Sequence, residues 1–329
     1  MVRNSETELC VESGSEQGRC QVPDTWIMTR RLFLKSSSMA AAALCIKPLS
    51  AYPEDGNRKV DLSFGIVTDS HYADIDTRGN RYYRESPDKM AECINLMNDK
   101  RVDFMIHLGD FKNGASSHNI ENLKHFESLY AQFNGPRYHV LGNHDMDSIS
   151  KSQFQTVVEN TGIDKDATHF SFNRRNIHFV VLDANFRSDG AAYDTGNFHW
   201  TDANIPRQQL EWLEKDLAGT DLPVILCTHQ LLDLDEGNHY VRNAADVRKI
   251  LERHSRVIAV FQGHQHQGQY NRVNGIHYYT LKAMVEGSGE ENNSYAVVEV
   301  YDDLTLSIAG YRKSDSRHLE ISQKSDPDR

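Results

Sequence analysis

The chain has 329 residues, of which 39% are hydrophobic and 25% charged, and its formal net charge is −11. This composition is that of a globular protein with enough apolar residues for a substantial core. No tract is long and apolar enough to span a bilayer, so we expect no stable membrane anchor. The negative charge repels polyanions, which argues against nucleic acid as a partner.

Residues 1–51 are predicted to be an N-terminal extension and signal peptide and not part of the fold. Arg30 and Arg31 precede a Leu-Phe-Leu-Lys sequence and a short apolar run, and Ser50-Ala51 offers a small-residue cleavage point. The segment resembles a bacterial twin-arginine signal, which implies the twin-arginine export machinery as a partner and an exported, periplasmic protein. The start codon remains open between Met1 and Met28.

From about residue 60 onward, the sequence alternates between predicted strands and helices. Six short apolar runs that end in polar residues are typical of buried strands: 62–69, 103–110, 137–145, 177–185, 223–230 and 257–266. Helical periodicity begins at Ser86-Pro87, recurs over 120–133 and again over 205–217. Consecutive strands then flank an Asp302-Asp303 turn. This order predicts one α/β domain over residues 58–315, followed by a tail at 316–329.

The two cysteines beyond the signal, Cys93 and Cys227, lie within apolar patterns. Such positions favour two buried thiols over a disulfide bond.

Polar side chains follow five of the predicted strands, where ligand sites of open α/β sheets collect. They are Asp69 and His71, Asp110, Asn143 to Asp145, His229, and His264 with His266. The two-residue spacing in the first and last pairs predicts side chains pointing the same way from an extended backbone. Carboxylate, imidazole and amide ligands suit Mn, Fe or Zn better than Ca, so we expect a metal site here.

One ion would leave ligands over, and a carboxylate such as Asp110 can bridge two cations. A water held between two cations can lose its proton near neutral pH, its pKa falling from 15.7 to roughly 7. The hydroxide then attacks a phosphorus centre whose oxygens the cations polarise. Gly142, which precedes Asn143, is expected to permit a tight turn.

The order D-x-H, G-D, G-N-H-D, H and G-H-x-H across residues 69–266 resembles the calcineurin-like metallophosphoesterase superfamily. The resemblance implies an α/β sandwich of two packed mixed β-sheets flanked by α-helices. It also implies two sets of metal ligands: Asp69, His71, Asp110 and His266 for one ion, and Asp110, Asn143, His229 and His264 for the other. His144 would face the substrate as an acid or a hydrogen-bond donor, and Asp145 would orient the His144 ring or the loop.

A closer resemblance lies in the segment 69–86, "DSHYADIDTRGNRYYRES", and in residues 286–301. Both are similar to the branch of manganese-dependent ADP-ribose/CDP-alcohol diphosphatases. On that reading, Arg78, Arg81 and Arg84 bind a second phosphate, while Tyr82 or Tyr83 stacks on a base. The alternative is a solvated segment that leads into a helix.

The predicted function is hydrolysis of a phosphodiester or pyrophosphate bond in a small phosphorylated substrate, such as ADP-ribose or a CDP-alcohol, with two metal ions. The first alternative is a phosphomonoesterase of the same superfamily. The second is a non-catalytic scaffold with this fold, although every ligand position and His144 are filled.

Other histidines are expected to be structural and not to bind metal: His107, His139, His169, His178 and His277. Asp183 also ends a predicted strand, and it is expected to support the site or a turn without contacting a metal.

Overall fold

The computed structural model describes residues 58–114 and 117–321. Its strands are β1 (Val60–Val67), β2 (Phe104–His107), β3 (Arg137–His139), β4 (Phe170–Arg174), β5 (Ile177–Val181), β6 (Val224–Cys227), β7 (Val257–Gln262), β8 (Gln269–Val273), β9 (Ile276–Thr280), β10 (Ser294–Tyr301), β11 (Leu306–Arg312) and β12 (Arg317–Leu319). Its α-helices are α1 (Ser86–Lys100), α2 (Asn119–Tyr130), α3 (Lys151–Val157), α4 (Arg207–Ala218) and α5 (Ala244–Arg253). Short 3-10 turns cover Tyr83–Glu85, Asn143–Met146 and Glu290–Asn292.

The strands form two six-stranded mixed sheets. One has the order β12-β11-β10-β1-β2-β3, and the other has the order β4-β5-β6-β7-β9-β8. Strands β1, β2 and β3 run parallel in the first sheet, as do β5, β6, β7 and β9 in the second. The carboxyl ends of the parallel strands therefore collect at one edge of each sheet.

The core between the sheets is built from the inward-facing residues of both. Phe64 of β1 packs edge-on against Phe179 of β5 and Phe261 of β7, with ring centroids 5.3 and 5.7 Å apart. A second apolar cluster joins the first sheet to α1, α2 and α3, and a third joins the second sheet to α4 and α5. This is the predicted sandwich of two packed mixed sheets flanked by helices.

Local sequence explains where the helices begin and end. Pro87 lies in the first turn of α1, where its missing N–H costs nothing, and the helix stops at Arg101, whose φ of 55° is left-handed. Ser150 caps α3 by accepting a hydrogen bond from the Gln153 backbone, while the Gln153 side chain accepts one from the Ser150 N–H. The apolar stripe of each helix then faces its sheet.

All six predicted strands exist, but each ends before the polar residues that were assigned to its end. The helices predicted near residues 86, 120 and 205 are α1, α2 and α4, while α3, α5, β4 and β8 were not predicted. The tail prediction was wrong for residues 317–319, because β12 pairs with β11 and Leu319 is only 1% exposed. Residues 322–329 lie outside the described residues.

The predicted signal peptide, residues 1–51, also lies outside the described residues. Cys93 and Cys227 are both free and buried, as predicted. Within residues 58–114 and 117–321, no helix is long and apolar enough to cross a membrane.

Candidate metal centre

The predicted ligands come from the loops that follow β1, β2 and β3 of one sheet and β6 and β7 of the other, and they meet at one place. The first group contains Asp69, His71 and His266, together with Asp110. His71 Nε2 lies 3.5 Å from Asp69 Oδ1 and 3.5 Å from Asp110 Oδ2. His266 Nε2 lies 3.4 Å from Asp69 Oδ1 and 3.2 Å from His71 Nε2. Two imidazoles and two carboxylates thus converge on one small volume.

The second group shares Asp110 with the first and adds His229 and His264. His229 Nε2 lies 3.1 Å from Asp110 Oδ2, the same oxygen that faces His71. A single carboxylate oxygen therefore stands between the two donor groups, as a bridging ligand would.

Several donor atoms of these groups are buried but make no hydrogen bond within the described part of the chain. His264 Nε2 and, on the loop after β3, Asn143 Oδ1 have neither a hydrogen-bond nor an ion-pair partner there, while Asp69 Oδ1 and His229 Nε2 make only the ion-pair contacts given above. Leaving buried polar atoms unpaired costs stability, so native proteins pair them or use them as ligands. Oxygen and imidazole nitrogen donors of this kind fit Mn²⁺, Fe or Zn²⁺. The residues present thus fit a metal centre.

Three of the ligand side chains, those of Asp69, His229 and His266, are tied to the protein through another atom. Asp69 Oδ2 accepts hydrogen bonds from Thr68 Oγ1 (2.7 Å) and the His264 backbone N–H (3.0 Å). His229 Nδ1 donates to the Leu108 carbonyl at 2.8 Å, which leaves the Nε2 lone pair for a metal. His266 Nδ1 donates to Glu286 Oε1 at 2.6 Å, a carboxylate contact that fixes the ring and raises its basicity as a ligand.

The backbone at the ligands is not extended, so the predicted reason for the pairing of residues 69 with 71 and 264 with 266 was wrong. Asp69, His71, Asp110 and His264 have φ values of 51°, 46°, 54° and 68°. Non-glycine residues rarely adopt this left-handed conformation, and it clusters at functional sites. The left-handed backbone turns these loops so that their side chains point at the centre, an arrangement that an extended strand does not give.

Gly142 is needed for a different reason from the tight turn that was predicted. Its backbone is extended, with φ −102° and ψ 168°. A Cβ atom there would lie 2.2 Å from the Asp110 backbone nitrogen and 2.3 Å from Asp110 Oδ1. Glycine therefore lets the loop after β3 approach the bridging carboxylate.

Comparison with known proteins agrees with this geometry. The model of the calcineurin-like phosphoesterase family matches residues 62–268, which span all of these ligands. The chain belongs to the calcineurin-like phosphoesterases. It is accordingly a metal-dependent hydrolase.

Relatives of this phosphoesterase include two proteins named manganese-dependent ADP-ribose/CDP-alcohol diphosphatase. The one from Oryza sativa subsp. japonica is 26% identical, over 79% of this chain and 94% of that protein. The one from Homo sapiens is 22% identical, over 74% of this chain and 88% of that protein. A solved dimetal phosphatase from Danio rerio has the same fold, with a TM-score of 0.71, 21% identity, and coverage of 80% of this chain and all of that chain.

His144 has a ring nitrogen within 4.8 Å of the donor atoms of His71 and Asp110, so the three also form a candidate ligand group. Its ring is held by an aspartate that the sequence reasoning missed. The ring centroid is 4.6 Å from that of His71, and Nδ1 donates to Asp147 Oδ2 at 3.0 Å. Buried Lys112 donates to Asp147 Oδ1 (2.9 Å) and to the His144 carbonyl (2.8 Å). Asp147 lies three residues beyond His144 in the chain. That short spacing is the sequence signal from which the pair could have been predicted.

Asp145, which was predicted to be catalytic, is fully buried and does not orient the His144 ring. Its two carboxylate oxygens accept hydrogen bonds from the backbone N–H groups of Asp110, Phe111, Lys112 and Gly142. Of the two predicted roles, the structure therefore supports only loop positioning. Asp145 ties the loop after β2 to the loop after β3.

Electrostatics divides the four histidines of the centre into two pairs. Burial would lower the pKa of His229, but the Asp110 carboxylate raises it to about 9. Burial likewise opposes the charge on His266, but the nearby Asp69 carboxylate and the hydrogen bond to Glu286 raise the pKa to about 9. Burial lowers the pKa of His71 to about 4 and that of His264 well below its usual value. In the metal-free protein His229 and His266 are protonated below about pH 9, so metal binding must release those protons and strengthens as the pH rises.

The structure separates the residues that were predicted to bind substrate. Tyr83 is 4% exposed and packs with Ala73, Ala283 and Val285, so its ring cannot stack on a base. Arg84 pairs with Asp74 (2.5 Å) and Asp76 (2.6 Å) on the surface. The Tyr83 prediction was wrong, because the core already holds the ring. For the exposed Arg84, a role in substrate binding remains a prediction.

Arg81 lies near the centre, with Nε 3.7 Å from Glu286 Oε1, the carboxylate that holds His266. Tyr82 is half-buried and Arg78 is exposed, and their backbones join the hairpin that leads to Arg81. A role in substrate binding remains a prediction for these three residues.

The other histidines have structural partners, as predicted. His107 bonds Ser70 Oγ, His139 bonds Glu127, His178 bonds Asp216, and His277 bonds Tyr270. His169 packs edge-on against Trp212. Asp183 also has a supporting role, since it pairs with Lys151 at 2.6 Å and accepts hydrogen bonds from Asn185.

Proposed function

We propose that this phosphoesterase hydrolyses the phosphodiester or pyrophosphate bond of a nucleotide-type substrate, such as ADP-ribose or a CDP-alcohol, with two Mn²⁺ ions. The observation that carries the two-ion proposal is the single Asp110 oxygen facing both donor groups. Support for the substrate and for manganese comes from the relatives, whose names give both.

Two bound cations would polarise the phosphoryl oxygens and acidify a water for the attack on phosphorus. Asp69, His71 and His266 would hold one ion, Asn143, His229 and His264 the other, and Asp110 would contact both. Each ligand side chain is already fixed by a second contact or by burial, so little rearrangement is needed.

In this proposal His144 delivers a proton to the leaving oxygen. Asp147 takes the Nδ1 proton as a hydrogen bond, so Nε2 remains as the atom that exchanges a proton with the substrate. The His144 backbone N–H donates to Asp110 Oδ1 at 2.7 Å. The proton donor is thereby positioned by the same carboxylate whose other oxygen faces both ligand groups.

The test is metal analysis of purified protein combined with a substrate panel. We expect two Mn²⁺ per chain and the highest kcat/KM for ADP-ribose or CDP-choline. Bis-p-nitrophenyl phosphate should be cleaved more slowly, and p-nitrophenyl phosphate most slowly. A strong preference for p-nitrophenyl phosphate would instead identify a phosphomonoesterase. Bound metal without turnover of any of the four would identify a binding scaffold.

We also propose that the protein is exported by the twin-arginine route to the periplasm, on the basis of residues 29–35. Replacing Arg30 and Arg31 by Lys should retain the protein in the cytoplasm, as measured by cell fractionation. Unchanged export of the double variant would contradict this proposal.

A further inference from the structure

Beside the second ligand group lies an aromatic wall that we define as Trp200 and His239. The Trp200 ring centroid is 5.5 Å from that of His264 and 5.4 Å from that of His239. The His239 and His264 centroids are 5.2 Å apart. The aromatic wall therefore begins directly at a residue of the metal centre.

Trp200 is unusual in its exposure. At 36% it is one of two exposed large hydrophobic side chains in the described part of the chain, the other being Val60. An exposed indole leaves apolar area in water that a planar ligand could cover, which makes it a favourable binding surface. A tryptophan placed beside a reaction centre is thus a candidate for recognising the substrate.

The two loops that carry the aromatic wall are anchored. The Tyr193 hydroxyl donates to the His199 carbonyl at 3.2 Å, and Arg242 Nε donates to the Thr201 carbonyl at 2.6 Å. These bonds hold the chain on both sides of Trp200. On the other loop, the Leu231 N–H donates to the His239 carbonyl at 3.0 Å. A ring presented by a fixed loop loses little conformational freedom when it binds a ligand.

The first ligand group is flanked by charged side chains. Arg81 contacts Glu286, which holds His266, and the Tyr83 ring is buried. A substrate with a phosphorus atom at the centre and a planar group attached to it would find charged partners beside the first ligand group and aromatic partners beside the second.

We propose that the aromatic wall binds the nucleobase of the substrate by stacking on Trp200, an inference that rests on the proposed function. The recognised class is a nucleoside diphosphate joined to a second alcohol or sugar. Stacking tolerates different bases because every base has a flat π-face. The aromatic wall would then accept adenine and cytosine alike.

The experiment compares two substrates with the same scissile bond, ADP-ribose and dimethyl diphosphate, of which only the first has a base. Trp200→Ala should lower kcat/KM for ADP-ribose by roughly 5- to 150-fold, the range that base stacking supports. Its activity on dimethyl diphosphate should stay within about twofold of wild type. Trp200→Phe should recover most of the loss, and Trp212→Phe, on the far helix α4, serves as the matched control. Equal losses on both substrates, or no loss on ADP-ribose, would overturn the proposal.

A binding measurement separates this inference from the proposed function. Calorimetry on the Mn²⁺-loaded protein should show tighter binding of AMP than of ribose 5-phosphate, and Trp200→Ala should remove that difference. If the wild type cleaves neither diphosphate but shows this binding pattern, the proposed function is wrong, and base binding at the aromatic wall is still supported. If the wild type binds both ligands equally, or Trp200→Ala preserves the difference, the proposal that the aromatic wall binds the base is wrong, whatever the enzyme cleaves.

Discussion

The metal centre differs from the segment of residues 74–84 at its edge, which we call the exposed segment although Tyr83 within it is buried. At the centre, donor atoms are buried and several of the side chains are held by a second contact, as Asp69 is by Thr68 and the His264 backbone. In the exposed segment, Arg84 pairs with Asp74 and Asp76 in solvent. Buried donor atoms without a metal destabilise the folded protein, whereas the charges of the exposed segment are already satisfied by solvent. Residue type therefore predicted the converging donor groups at the centre but not the local pairing of the side chains at the edge.

The strongest test of that difference is Asp110→Asn. The substitution removes the charge that both ligand groups share, so metal content and hydrolysis should fall together. The loss should exceed the ~10–100-fold that follows removal of an outer partner of a ligand. Metal analysis and kcat/KM on the same preparation check this.

Asp216→Asn is the control for Asp110→Asn. Asp216 is also a carboxylate in contact with a histidine, His178, but that pair lies on β5 and α4, away from the centre. It should keep metal and activity. Equal losses in the two variants would mean that the centre has been misplaced.

His144→Ala should separate chemistry from metal binding. If His144 supplies a proton and does not coordinate, metal content should be unchanged while turnover falls by ~10²–10⁴. The fall should be larger for alkyl esters than for p-nitrophenyl esters, because nitrophenolate leaves without needing a proton. Metal loss, or equal losses on both ester types, would assign His144 to coordination or to phosphate orientation.

The motifs allowed the ligand set to be predicted because metal ligands must be particular residue types and because parallel strands bring their ends together. Asp69 and His264 are far apart in sequence, yet the sheets join them. The partners of these residues could not be predicted in the same way. Glu286 reaches His266 only through the fold, and the separate roles of Asp145 and Asp147 depend on how the loop curls.

The left-handed backbone at Asp69 and Asp110 also escaped prediction. Aspartate adopts that conformation more often than most non-glycine residues but still rarely, so its presence in the sequence does not predict it and tertiary contacts must impose it. In the exposed segment the error was of another kind. Tyr83 was assigned to substrate because it is aromatic, whereas the fold uses the ring as part of the core.

Glu286→Gln tests whether a partner found only in the structure matters to the centre. Gln can still accept the hydrogen bond from His266 Nδ1, but it lacks the charge that makes the ring a better ligand. Mn²⁺ affinity should fall by ~10–100-fold, as measured by metal titration, and activity should recover at high Mn²⁺. A loss of activity that excess Mn²⁺ does not restore would point to a role in substrate binding instead.

The smallest effect is expected for Arg84→Gln, which tests the exposed segment directly. The side chain is about half exposed and already paired with Asp74 and Asp76, so solvent can replace what it gives up. We expect kcat/KM for ADP-ribose to stay within about twofold of wild type and Mn²⁺ affinity to be unchanged. Arg81→Gln, at the arginine that contacts Glu286, is the matched comparison and should reduce kcat/KM more than Arg84→Gln does. If Arg84→Gln proved the more damaging of the two, Arg84 would leave its aspartates to bind substrate. The difference drawn above between the buried donors of the centre and the solvent-exposed charges of the segment would then be wrong.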